Sequence, residues 1–218
     1  METSVTRRPV EARDWRIIRK TARWLCRTSV TPNQISLASV FFSAAAAVCL
    51  IQLPAQGIAT WTLSYLAVAF IGARVLCNVL DGLVAVEGGK RSASGEMFND
   101  IPDRISDSLI LVAAGYATDI VPWAAAAGWL SALLAVMTAY VRTLARGLGA
   151  VSDFRGPMAK PHRMAVIAIA FLLTPLESLV WQQGYVVLIA LLVVIAGCIA
   201  TIWNRARAAY LSLERRPG

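Results

Sequence analysis

The feature that most restricts how this chain can fold is a set of six apolar runs, near 35–53, 59–82, 103–120, 122–145, 163–181 and 184–204. Each approaches the roughly 20 residues that an α-helix needs to cross a bilayer. Inside a bilayer every backbone N–H and C=O must be paired within its own segment, so runs of this length predict helices. The composition agrees: 57% of the 218 residues are apolar and 16% charged, which lies outside the range of a soluble domain. The expected fold is all-α and integral to the membrane, with six transmembrane helices. The third run is unusual because its first turns carry Asp103, Arg104 and Asp107. Polar residues at one end of a span are expected where that end faces an aqueous pocket.

Charge predicts the orientation. Eight of the 21 lysines and arginines precede the first run; others sit at 90, 91 and 104, at 142, 146, 155, 160 and 163, and after residue 204. The opposite loops, near 54–58, 119–122 and 177–184, carry none. The positive-inside rule therefore predicts a multi-pass protein of the inner (cytoplasmic) membrane, with both termini, the 83–102 region and the 146–162 loop in the cytoplasm. The net charge of +8 then reflects topology and anionic ligands rather than nucleic acid. Residues 1–10 are polar and expected to be mobile, and the first 30 residues hold no long apolar run of the kind a secretory signal needs. Residues 11–30 predict an amphipathic juxtamembrane helix. Trp15, Ile18, Ala22 and Leu25 recur at helical spacing among Arg16, Arg19, Lys20, Arg23 and Arg27, which suits the headgroup plane. Residues 31–205 form the expected six-helix domain, and 206–218 a basic cytoplasmic tail.

The polar residues concentrate between Asn78 and Asp107. Asn78, Asp81, Gly82 and Ala85 lie three and four apart and share one helical face. Gly88 and Gly89 end that helix, and Gly95, Asn99 and Asp103 then recur every fourth residue on the next. Two helices joined end to end can direct these oxygen-bearing side chains into one space, and hard divalent cations favour such a cluster.

This pattern resembles the signature of the CDP-alcohol phosphotransferase family, D-x-x-D-G-x-x-A-R-x(8)-G-x-x-x-D-x-x-x-D, matched here by Asn78, Asp81, Gly82, Ala85, Val86, Gly95, Asn99 and Asp103. Upstream, Thr31, Pro32, Asn33, Gln34, Ile35 and Ser36 resemble the T-P-N-x-[IL]-[TS] element that opens the family's first membrane helix, with Asn33 expected as its N-cap. The resemblance covers about residues 30–205. Three positions depart from it: Asn78 and Asn99 stand where the family has aspartate, and Val86 where it has arginine. Glu87, Glu96 and Asp100 are the nearby acids available to supply charge, and Lys90, Arg91 and Arg74 the bases available in place of the arginine.

The resemblance implies an enzyme that moves a phosphatidyl group from a CDP-linked lipid, expected to be CDP-diacylglycerol, to an alcohol, releasing CMP. It implies Mg2+ or Mn2+ held by Asn78, Asp81, Asn99 and Asp103, with Asp103 also the general base. Gly82, Ala85, Ser94, Gly95 and Arg74 are the expected diphosphate contacts; for Ser94 a plain N-cap, and for Arg74 a packing ion pair with Asp81 or Asp103, remain open. Arg142, Arg146, Lys160 and Arg163 resemble the basic element that binds a phosphorylated acceptor in some members, since forked guanidiniums suit that ligand. The residues at 95–98 resemble the aminoalcohol branch instead, so the acceptor stays open. The family also implies a homodimer. The alternative is a member that binds CDP-lipid or a partner without turnover, and an unrelated transporter is a remote third. His162 is expected to be a loop residue, and Cys26, Cys49, Cys77 and Cys198 to be reduced.

Overall fold

The computed structural model describes residues 16–53, 57–90, 94–150, 155–180 and 184–215. Residues 1–10, Trp15, Arg91 and residues 216–218 of the expected tail lie outside them. The described residues form seven helices and no strand: α1 (Arg16–Cys26), α2 (Pro32–Ile51), α3 (Ile58–Glu87), α4 (Gly95–Tyr116), α5 (Ala124–Gly147), α6 (Lys160–Val180) and α7 (Tyr185–Glu214). Helices α2, α3, α5 and α7 are long and apolar enough to cross a membrane. The α4 helix instead carries Glu96, Asp100, Asp103, Arg104 and Asp107 in its first 13 residues.

Neighbour contacts close α2 to α7 into a ring: α3 against α2, α2 against α4, α4 against α5, α5 against α7, α7 against α6, and α6 back against α3. Small residues let these helices approach. A Cβ on Gly115 of α4 would stand 2.8 Å from Gly128 Cα of α5, and one on Gly128 would stand 2.8 Å from the Leu111 carbonyl. The outside of the ring is apolar and exposed, with Phe41, Leu133, Leu173 and Ile189 all open, while Arg74, Asp81, Asp103, Asp107 and Arg163 are buried within it. Charge inside and leucine outside is the distribution of a protein solvated by lipid.

The start of α2 corrects one expectation. Its N-cap is Thr31 rather than Asn33: Thr31 Oγ1 accepts from the Gln34 N–H at 3.3 Å, and Gln34 Oε1 accepts from the Thr31 N–H at 3.0 Å. Pro32 takes the first helical position, where no N–H is needed, and so forces the cap back by two residues. On α1 the expected apolar face packs against protein. Ile18 and Ala22 pack into a cluster with Cys77, Leu80 and Val84 of α3, whereas Ile17 and Trp24 are exposed on another side.

Candidate active site

Asp81 lies in the last two turns of α3, and the first turn of α2 holds it. The capping box fixes that turn, and Ser36, one turn further on, donates to Asp81 Oδ2 at 2.6 Å. A buried hydroxyl that donates to a carboxylate fixes its rotamer as well as its charge. Asp103 comes from α4 and lies close enough to Asp81 for the two charges to act on one another.

Below this pair is a charged network that joins four helices. Asp103 and Asp107 are one turn apart on the buried face of α4. Arg74, two turns before Asp81 on α3, bonds Asp107 Oδ1 and lies 3.7 Å from Asp103 Oδ1. Arg163 of α6 donates to Asp107 Oδ2 at 2.8 Å, to the Met158 carbonyl at 3.0 Å and to Thr138 Oγ1 of α5 at 3.3 Å. Lys160, at the start of α6, bonds Asp103 Oδ2. Each oxygen of Asp107 thus faces its own arginine, an arrangement that offsets the cost of burying the charges.

The other expected site residues divide into two groups. Gly82, Ala85 and Gly95 are half-buried, and Asn78 sits one turn before Asp81 and Gly82. Asn99 is exposed instead of joining Asp103, and Ser94 stands at the N-cap of α4 without a side-chain cap bond. The expected phosphate set splits by depth. Arg142 pairs with Asp100 at 3.1 Å and Arg146 with Glu96, both at the first turns of α4, whereas Lys160 and Arg163 serve the buried aspartates. Arg74 therefore makes its principal pair with Asp107, a partner the sequence reading did not assign.

Lys90 is not an arginine substitute: its ammonium holds the Thr28 and Val30 carbonyls at 2.7 and 3.0 Å and ties the α1–α2 link to the end of α3. Glu87 is exposed, and Glu96 and Asp100 are engaged with Arg146, Arg104 and Arg142. His162 lies in the first turn of α6 rather than in a loop, exposed and with Nδ1 2.9 Å from the Pro157 carbonyl, and the four cysteines are free thiols.

The residues present suit one hard cation. Asn78 Oδ1, Asp81 Oδ1 and Asp103 Oδ1 are buried oxygens with no hydrogen-bond donor. Orphaned oxygens of this kind are costly in an apolar interior and are what a divalent ion satisfies. Among the described residues no three His, Cys, Asp or Glu side chains gather into a metal site by themselves. The set is two carboxylates and one carboxamide.

Residues 29–203 match the family model described as CDP-alcohol phosphatidyltransferase. The inner membrane protein YnbA of Escherichia coli (strain K12) is 28% identical over 153 residues, covering 70% of this chain and 72% of that protein. The fold is similar to phosphatidylinositol phosphate synthase (PgsA1) of Mycobacterium tuberculosis. With CDP-DAG bound, that structure superposes at a TM-score of 0.74, covering 94% of this chain and 100% of that one at 18% identity. In complex with manganese and citrate the TM-score is 0.75, over 92% and 93% of the two chains, again at 18% identity. The family match runs from two residues before Thr31, through Asp81 and Asp103, to the last apolar stretch, and on that match the chain belongs to the CDP-alcohol phosphatidyltransferase family.

Proposed function

We propose that the chain transfers a phosphatidyl group from a CDP-linked lipid, CDP-diacylglycerol, to a polar alcohol at the cytoplasmic end of six membrane-crossing helices. The observation that carries this reading is the convergence of Asp81 and Asp103 from two helices, each with an orphaned buried oxygen, beside Asn78. The family match and the CDP-DAG and manganese bound by a similar fold support it.

In this reading Asn78, Asp81 and Asp103 hold one Mg2+ or Mn2+, which would offset charge on the diphosphate oxygens, an effect worth several kcal/mol of barrier. Gly82 and Gly95, which have no side chains, let the diphosphate approach the helix backbones. The acceptor O–H gives its proton to Asp103, its oxygen bonds the β-phosphorus, and the phosphoanhydride bond to CMP breaks. Ser36 keeps Asp81 oriented throughout. Arg142 and Arg146, paired with Asp100 and Glu96 at the first turns of α4, are the basic groups that would meet a charged acceptor. The reading includes a homodimer, and α1 lying in the headgroup plane with Ile17 and Trp24 toward the acyl chains.

A second reading, binding of CDP-lipid without turnover, rests on the exposure of Asn99 and on the engagement of Asp103 by Lys160. One experiment separates the two. Purified chain in nanodiscs receives CDP-diacylglycerol, Mn2+ and a panel of neutral and phosphorylated alcohols. The transferase reading predicts CMP release stimulated by one class of alcohol. Saturable CDP-diacylglycerol binding with no CMP from any alcohol would favour the second reading, and absence of donor binding would overturn both.

A further inference from the structure

We propose that Lys160 is a built-in cation of the site, so that Asp81 and Asp103 take up a divalent ion only together with a diphosphate. This deepens the CDP-donor reading above and rests on it.

The argument begins with charge. Arg74, Lys160 and Arg163 are set against Asp81, Asp103 and Asp107, three of each sign, in one connected cluster. Arg205 of α7 adjoins it through Thr138, donating to the Thr138 and Arg155 carbonyls at 2.7 and 3.0 Å. The buried cluster is therefore neutral or positive before any metal enters. Asn78 contributes to this, because a carboxamide offers an oxygen without a charge.

A divalent ion added to such a cluster leaves an uncompensated double positive charge away from water, which is strongly disfavoured. It also meets Lys160 directly. The ammonium bonds Asp103 Oδ2, and Asp103 Oδ1 is 3.7 Å from Arg74. An ion approaching Asp103 must therefore displace one cation or sit beside two. A diphosphate removes both obstacles: it brings negative charge of its own, and it gives the displaced ammonium a new partner. The side chain of Lys160 is 25% exposed, against 1% for Arg74, so Lys160 is the one able to move. Its four-carbon stem suits a swing from carboxylate to phosphate.

The test is Mn2+ binding to the full chain in nanodiscs, read from the electron paramagnetic resonance of the free ion, with and without CDP. In the wild-type chain CDP is expected to tighten Mn2+ binding by at least about tenfold. Lys160→Met is expected to tighten ligand-free binding by a similar factor and to abolish most of the effect of CDP, whereas Lys160→Arg keeps the dependence. Asn78→Asp restores charge without touching Lys160 and should also tighten ligand-free binding, which guards against a Lys160 variant that misfolds. Tight Mn2+ binding by wild type without CDP, unchanged by CDP and by Lys160→Met, would overturn the proposal and leave the donor reading intact. No Mn2+ binding to any variant even with CDP would overturn both.

Discussion

At the scale of single residues, Ser36 and Asp107 are the unassigned members of the site. Ser36 makes one hydrogen bond to a charged oxygen, Asp81 Oδ2, at 2.6 Å. Bonds to charged groups contribute about 1.5–3 kcal/mol. Ser36→Ala should therefore lower the thermal midpoint by several degrees and, by freeing Asp81, lower CMP release further than the lost stability accounts for. A drop in midpoint that matches the loss of activity would make Ser36 structural instead. Asp107 faces Arg74 and Arg163, both almost fully buried. Removing it leaves two arginines without their shared carboxylate, and breaking a buried pair costs about 3–5 kcal/mol. Asp107→Ala should fail to accumulate or melt many degrees lower, and Asp107→Asn should fall between; a wild-type midpoint for Asp107→Ala would refute the network. Both residues left traces in the sequence. Ser36 closes the T-P-N-x-I-S element, and Asp107 follows Asp103 by one helical turn. Spacing alone does not say that a serine on α2 meets an aspartate on α3, since that contact depends on how the helices pack.

At the scale of helices, apolar run length predicted every long element, because backbone pairing in lipid admits few alternatives. What it missed are ends and faces. The α3 helix continues to Glu87 and α4 starts at Gly95, ahead of the apolar run expected from residue 103. The charged first turns of α4 are largely exposed and tie to α5 through the Glu96–Arg146 and Asp100–Arg142 pairs, which no hydropathy pattern encodes. The cap of α2 moved from Asn33 to Thr31 for a similar local reason, the proline at the first helical position. Periodicity placed Asn99 with Gly95 and Asp103, yet the fold buries Asp103 and leaves Asn99 exposed. Four-residue steps advance by more than a full turn, so over two such steps the face drifts. The α4–α5 approach is testable by itself. A Cβ on Gly128 would stand within 2.9 Å of the Leu111 carbonyl and Gly115 Cα, both backbone atoms that cannot rotate away. Gly128→Val should lower the thermal midpoint in detergent by several degrees, in line with an overpacking cost of about 1–3 kcal/mol. An unchanged midpoint would show that the two helices can separate freely.

At the scale of the whole molecule, the protein is a ring of helices that exposes leucine on the outside and gathers charge within. The charge asymmetry of the loops predicts sidedness. Leu148 follows α5 on the basic side, and Asp119 sits in the α4–α5 link, which carries no basic residue; both are exposed. In a background with Cys26 replaced by serine, a cysteine at 148 should react with an impermeant maleimide only in inverted vesicles, and one at 119 only in intact cells. The reverse pattern would overturn the topology. The family was legible because its signature lies in consecutive helical turns, within one stretch of chain. The Lys160 and Arg163 contacts were not, since they join residues more than fifty positions apart.

The central claim is that Asp81 and Asp103 form a phosphotransfer centre despite the asparagines beside them. The most direct test is CMP release from CDP-diacylglycerol by wild type, Asp81→Asn and Asp103→Asn in the same nanodiscs with Mn2+ and the stimulating alcohol. The account predicts metal-dependent release by wild type and a fall of at least about 100-fold in each variant, the lower end of what a positioned base contributes. Release by either variant at the wild-type rate would contradict it.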